Sequence, residues 1–122
     1  MKFISFKHND QNKFGIINNN KITDLTGKVS NSNTLKDLIS NQGIEEAKSY
    51  ATNNPGDINE SDIEYLPLIP NPGKIICVGL NYSEHVKETN RTVEENPVIF
   101  HRFPESQTAH MQPIQRPIAS DN

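Results

Sequence analysis

The sequence predicts an α+β chain: a small antiparallel β-meander with helices, followed by the opening strands of a second unit. Three observations predict it. Short β-like runs flank the Asn18-Asn19-Asn20 tract, and apolar residues recur at helical spacing over Leu35–Ile39. A proline-rich stretch then separates this polar region from a denser, motif-like segment.

Met1–Lys7 alternates loosely around Phe3, Ile4 and Phe6 and reads as a strand. Phe14–Ile17 reads as a second. The asparagine tract follows, and asparagine tolerates the positive φ that tight hairpins need, so Lys21–Leu25 returns as a third strand. Asn33 or Thr34 can cap a helix running to Ser40, with Leu35, Leu38 and Ile39 on one face and Gly43 as its stop. Ile44–Thr52 reads as another short helix, broken by Asn53-Asn54-Pro55-Gly56.

Tyr65–Gly73 carries Pro67, Pro70 and Pro72 among apolar residues. Proline fixes φ and cannot donate to a sheet, so this is a semi-rigid connector at a domain boundary. The division is a small N-terminal α+β domain over residues 1–65, a connector over 66–73, and the start of a second domain over 74–122. Lys74–Val78 is a continuous apolar run bounded by Gly73 and Gly79, which predicts a buried strand. Asn81–Glu88 has helical character, Pro97–Phe103 is a second β-like run, and Pro104, Pro113 and Pro117 keep the remainder extended or turning.

Composition narrows the function classes. Apolar residues make up 33% of the 122, and adding the 6 Gly still leaves the share below the ~45–50% of ordinary soluble domains. The net charge is −3 with no basic stripe, which argues against a nucleic-acid partner. No apolar run approaches the ~18 residues of a membrane span, and the N-terminus does not form a signal peptide. Cys77 stands alone, so no internal disulfide forms and a reducing, cytoplasmic setting is expected. Asparagine is abundant, at 16 residues, which base composition of the gene explains.

Chemistry concentrates in Gly79–Glu88. Gly79 permits a sharp turn after a strand, where backbone can approach a ligand. His85 and Glu88 are three residues apart, which on a helix places both side chains on one face. A histidine oriented by a carboxylate is a common general base near neutral pH. The same spacing also describes a solvated surface pair, and His with carboxylate also suits several divalent cations, although no further acidic cluster is present to complete a metal site.

The phrase Lys74-Ile75-Ile76-Cys77-Val78-Gly79-Leu80-Asn81-Tyr82-Ser83-Glu84-His85-Val86-Lys87-Glu88 resembles the fumarylacetoacetate hydrolase family. So do Glu95–Gln107 (ENPVIFHRFPESQ) and Gln112–Pro117 (QPIQRP). The resemblance is strong from Leu66 to about Asp121 and weaker before it, where the chain is similar to the small N-terminal domain of bacterial-type members. It implies that residues from Lys74 form the first part of a mixed-β catalytic domain, incomplete in this chain.

Carried over by position, His85 and Glu88 activate water or shuttle a proton, and their segment works as a lid over the substrate. Asn81 and Tyr82 shape the turn. Arg102 falls near a substrate-facing cation, where a surface ion pair is the alternative, and Ser106 is a candidate substrate contact. Relatives often read Ser-Ser-Gln at Glu105-Ser106-Gln107, and Gly-His-Gly-Gln at Ala109-His110-Met111-Gln112. Two lost glycines remove backbone freedom from that loop, and His110 is expected to be an exposed loop residue.

The resemblance further implies Mg²⁺- or Mn²⁺-dependent hydrolase, isomerase or lyase chemistry on C–C or C–N bonds of 2-oxo and β-diketo acids. The partners it implies are a small anionic substrate and, usually, a second copy in a homodimer. Family substrates include fumarylpyruvate-type compounds, oxaloacetate, hydroxyheptadienedioates and ureidoglycolate. The metal ligands, a Glu-x-Glu pair and a later Asp, follow the position matching Ser120-Asp121, past the last residue Asn122. The expectation is therefore that this chain alone holds no metal and is inactive. The alternative is a non-catalytic remnant or interaction module pairing with a relative or a separately encoded C-terminal half.

Overall fold

Residues 1–79 and 96–119 are described by the computed structural model. The architecture is α+β, and the chain divides into two compact units: Met1–Pro70 with Thr108–Asn122, and Asn71–Gln107.

In the first unit, β1 (Lys2–His8) and β2 (Gln11–Asn18) pair antiparallel from Lys2↔Ile17 to His8↔Gln11. Asn9 and Asp10 form the turn between them, at φ 49° and 59°. Asn19 and Asn20, at φ 50° and 61°, make an equivalent turn into β3 (Lys21–Asp24). Positive φ at both central residues is the type I′ pattern, whose twist matches that of the flanking strands. Short polar side chains bear that conformation at less cost than other residues do. The asparagine tract is thus spent partly on turn geometry.

The meander sits in a five-stranded sheet ordered β4-β3-β2-β1-β5, where β4 is Ile58–Asn59 and β5 is Glu64–Tyr65. Both edges are only two residues long, which leaves little unpaired ladder for another chain to join. Successive side chains alternate between faces, and both faces are apolar. Phe14 and Ile16 join Leu25, Val29, Leu35, Leu38, Ala47 and Ala51 on the helical side. Ile4, Phe6 and Ile22 form a second cluster with Ile17, Ile58, Ile63 and Tyr65. Full burial of one such large side chain contributes roughly 1.5–3 kcal/mol.

Helix α1 (Leu35–Ser40) opens on Thr34, which forms a reciprocal capping box with Asp37. It buries Leu35 and Leu38, but Ile39 is 55% exposed. At about 100° per residue, Leu38 and Ile39 fall on opposite sides of Leu35, and the contact is wide enough only for the first two. The helix ends in a Schellman motif: the Gly43 N–H reaches the Leu38 carbonyl at 2.9 Å and the Gln42 N–H reaches that of Ile39 at 3.1 Å. Gln42, at φ 56°, takes the left-handed position. Gly43 is needed for space instead, since a Cβ there would lie 2.3 Å from Ser30 Oγ and 2.7 Å from Leu38 Cδ1. It also begins α2 (Ile44–Asn53).

In the second unit, β6 (Ile75–Gly79) and β7 (Val98–Arg102) form a two-stranded antiparallel sheet, in register from Ile75↔Arg102 to Gly79↔Val98. The expected burial of Lys74–Val78 is not found. Ile75 and Cys77 are half-buried, Ile76 and Val78 are exposed, and every residue of β7 is exposed. Among the described residues, this sheet has no further strand at either edge.

Candidate functional site

Strand β6 leads directly into the motif-bearing segment through Gly79. Its backbone lies outside the left-handed region, and a Cβ added there meets its nearest atom, on the Phe100 ring, at an ordinary 3.4 Å. Gly79 therefore ends a ladder without an enforced turn at its own position. Asn81, Tyr82, His85 and Glu88, together with the helix expected over Asn81–Glu88, lie outside the described residues.

Arg102 closes β7 opposite Ile75, whereas the chain leaves β6 at Gly79 opposite Val98. At ~3.4 Å per residue, those two points are about 13 Å apart along the ladder. Arg102 is held by Ser106. Its Nε donates to Ser106 Oγ at 3.0 Å, and its Nη2 donates to the Ser106 carbonyl. The Ser106 hydroxyl in turn donates to the Phe103 carbonyl at 2.6 Å. The turn Pro104–Ser106 is a single 3₁₀ segment started by proline, whose fixed φ suits that position. His101 and Phe103, which flank Arg102, meet edge to face with ring centroids 5.8 Å apart. Two of the sequence-derived substrate contacts, Arg102 and Ser106, thus form one local cluster.

In the first unit, His110 is exposed, as expected, but its ring meets Tyr65 edge to face at 5.2 Å. The Tyr65 hydroxyl donates to Glu60 Oε1 at 2.5 Å. Burial, and then that carboxylate, push the Tyr65 phenol up to about 12. An open depression of about 280 Å³ lies between Ile4, Ser5 and Tyr65–Leu68 on one side and Thr108–His110 on the other. The Ser5 hydroxyl donates its proton to the Leu68 carbonyl at 2.7 Å, which leaves only its oxygen lone pairs facing that space. The sequence carried no signal for this cluster, whose members are far apart in the chain.

Among the described residues, no group of three or more His, Cys, Asp or Glu side chains could hold a metal ion. The divalent cation implied by the resemblance therefore finds no donor set there. No helix among them is long and apolar enough to cross a membrane.

Residues 74–122 match the family described as fumarylacetoacetate hydrolase C-terminal. This part of the chain belongs to the fumarylacetoacetate hydrolase family. An oxaloacetate tautomerase of Xenopus laevis, named as mitochondrial, is 39% identical over 74 residues, covering 61% of this chain and 23% of the relative. A 2,4-didehydro-3-deoxy-L-rhamnonate hydrolase of a Sphingomonas species is 33% identical over 101 residues, covering 82% of this chain and 33% of the relative. A fumarylacetoacetate hydrolase domain-containing protein 2 homolog of Dictyostelium discoideum is 40% identical over 50 residues, covering 41% of this chain and 16% of the relative. The chain thus spans no more than a third of the length of these relatives. By their names, the family includes hydrolases and isomerases that act on small organic acids.

Proposed function

We propose that this chain carries the opening part of a fumarylacetoacetate hydrolase-type active site acting on small 2-oxo or β-diketo acids. Oxaloacetate is the best-supported substrate. The reading rests on one observation: the matched stretch 74–122 takes in the His85/Glu88 pair and Arg102 together. In this reading His85, oriented by Glu88, moves the proton next to the oxo group or activates water. Asn81 and Tyr82 shape the turn beneath the substrate. Arg102 and Ser106 form its anion-facing side, because a guanidinium suits a carboxylate. A divalent cation, Mg²⁺ or Mn²⁺, belongs to the same proposal, with donors other than the described residues. So do a homodimeric assembly and a reducing aqueous compartment, for which the sequence favours the cytoplasm while the Xenopus relative is named mitochondrial.

A chimera tests the reading. Residues 74–122 of this chain replace the matching segment of the Xenopus oxaloacetate tautomerase, and decay of enol oxaloacetate is followed by ultraviolet absorbance. The chimera is expected to keep activity within about tenfold, and His85→Ala within it to lose roughly 10²-fold or more, the contribution typical of a general base. A folded chimera without activity, or one indifferent to His85→Ala, overturns the proposal.

The exposed β6–β7 sheet favours a second reading, an interaction module. Ile76, Ile99 and Phe103 are 65%, 62% and 70% exposed, and open strand edges invite pairing. Here the chain pairs with a relative or with a separately encoded half, and a clean monomer at high concentration by size-exclusion chromatography with light scattering counts against it.

A further inference from the structure

We infer that Ser106 is a positioning residue that holds the Arg102 guanidinium with its outer edge turned toward a carboxylate of the substrate. The inference rests on the proposed anion-contacting role of Arg102 and deepens it. A guanidinium has five N–H donors in a rigid plane. Ser106 engages two of them at once, Nε through its hydroxyl oxygen at 3.0 Å and Nη2 through its backbone carbonyl. What remains is the edge shared by Nη1 and Nη2, the edge that matches two carboxylate oxygens. Among the described residues no Asp or Glu forms an ion pair with Arg102.

Ser106 is itself fixed. Its hydroxyl proton goes to the Phe103 carbonyl at 2.6 Å, so the oxygen faces Nε with a lone pair. Its backbone N–H donates to the same carbonyl at 3.0 Å, and Gln107 N–H closes the turn onto the Pro104 carbonyl at 3.1 Å. With its proton committed, the hydroxyl serves an anionic ligand better through Arg102 than by direct donation. A side chain ordered before binding loses less freedom on binding, which is where affinity is gained. Lysine, with a single nitrogen, could not be held by both groups in this way.

The test uses the ¹⁵N-labelled 122-residue chain and NMR, with malonate as the dicarboxylate probe and chloride at equal ionic strength as the control. The Arg102 Nε–H should exchange with water several-fold more slowly than those of the other arginines. Ser106→Ala should abolish that protection and weaken malonate binding about fivefold, the scale of one lost hydrogen bond. Ser106→Thr should restore both, and the amides of the first unit should not move in either variant. Unchanged Nε–H exchange in Ser106→Ala, or lost protection with unchanged malonate affinity, overturns the positioning role. A protected Nε–H with no malonate response at Arg102 in any variant shows instead that the anion-contact reading has failed, and the inference with it.

Discussion

Lys13 Nζ lies 2.8 Å from Asp24 Oδ2, a diagonal contact across β2 and β3 in which both side chains are largely buried. The other Asp24 oxygen accepts the Thr26 N–H at 2.9 Å, and Thr26 Oγ1 accepts the Phe14 N–H at 3.1 Å. The cluster closes the end of the β2–β3 ladder with its polar groups paired. Burial pushes the Asp24 carboxyl up, but Lys13 and Thr26 outweigh it, and the group lies below the usual carboxylate range.

This arrangement gives an acid-sensitive contribution to stability. A carboxyl whose folded pKa lies below its unfolded value near ~3.9 binds fewer protons when folded. Its contribution is complete above the unfolded value and is lost as pH falls through the folded one. Lys13→Met keeps the apolar stem and removes the charge. It should cost about 1–2 kcal/mol at pH 7, since a largely buried carboxylate loses its cation but keeps Thr26. Urea midpoints at pH 7, 5 and 3 should show the gap from wild type closing toward pH 3. A gap of constant size across that range would remove the ionic explanation.

The cap of α1 makes a second case. Thr34 Oγ1 accepts the Asp37 N–H at 3.1 Å, and Asp37 Oδ2 accepts the Thr34 N–H at 3.0 Å. The helix has six residues, too few to persist by propensity, so its entry and its two buried leucines carry it. Thr34→Ala should lower stability by about 1 kcal/mol, and Thr34→Ser by much less. Thermal unfolding by circular dichroism reads both. Equal melting temperatures for the two variants would show that the hydroxyl does not matter.

Legibility from sequence followed the reach of the forces involved. The meander was legible because each strand carries its own apolar run and asparagine marks its turns. The start of β2 at Gln11 was not, because Gln11, Asn12 and Lys13 enter the ladder through backbone pairing with β1. Ile39 matches the helical period of Leu35 and Leu38, yet the width of the contact, which periodicity does not encode, leaves it in solvent. At the candidate site, residue types named Arg102 and Ser106 separately. Their mutual hold depends on the Pro104–Ser106 turn, a local geometry visible only in three dimensions. The contact of His110 with Tyr65 is long-range and leaves no pattern in either segment.

Met111 supplies the last prediction. It sits at φ 62°, in a turn closed by the Gln112 N–H on the Ala109 carbonyl at 3.2 Å. The family resemblance places glycine at this position, and the chain keeps a left-handed backbone there with a side chain attached. A non-glycine residue in that region costs roughly 1–2 kcal/mol, and β-branching makes it worse. The Met111 side chain is 85% exposed, so little packing offsets the cost. Met111→Gly removes the strain but adds freedom to the unfolded chain, leaving a net gain of up to about 1 kcal/mol. Met111→Ile should open the turn. The local readout is hydrogen exchange at the Gln112 amide, expected to slow in Met111→Gly and quicken in Met111→Ile. Equal protection in the two variants would mean that the left-handed conformation at Met111 carries no strain.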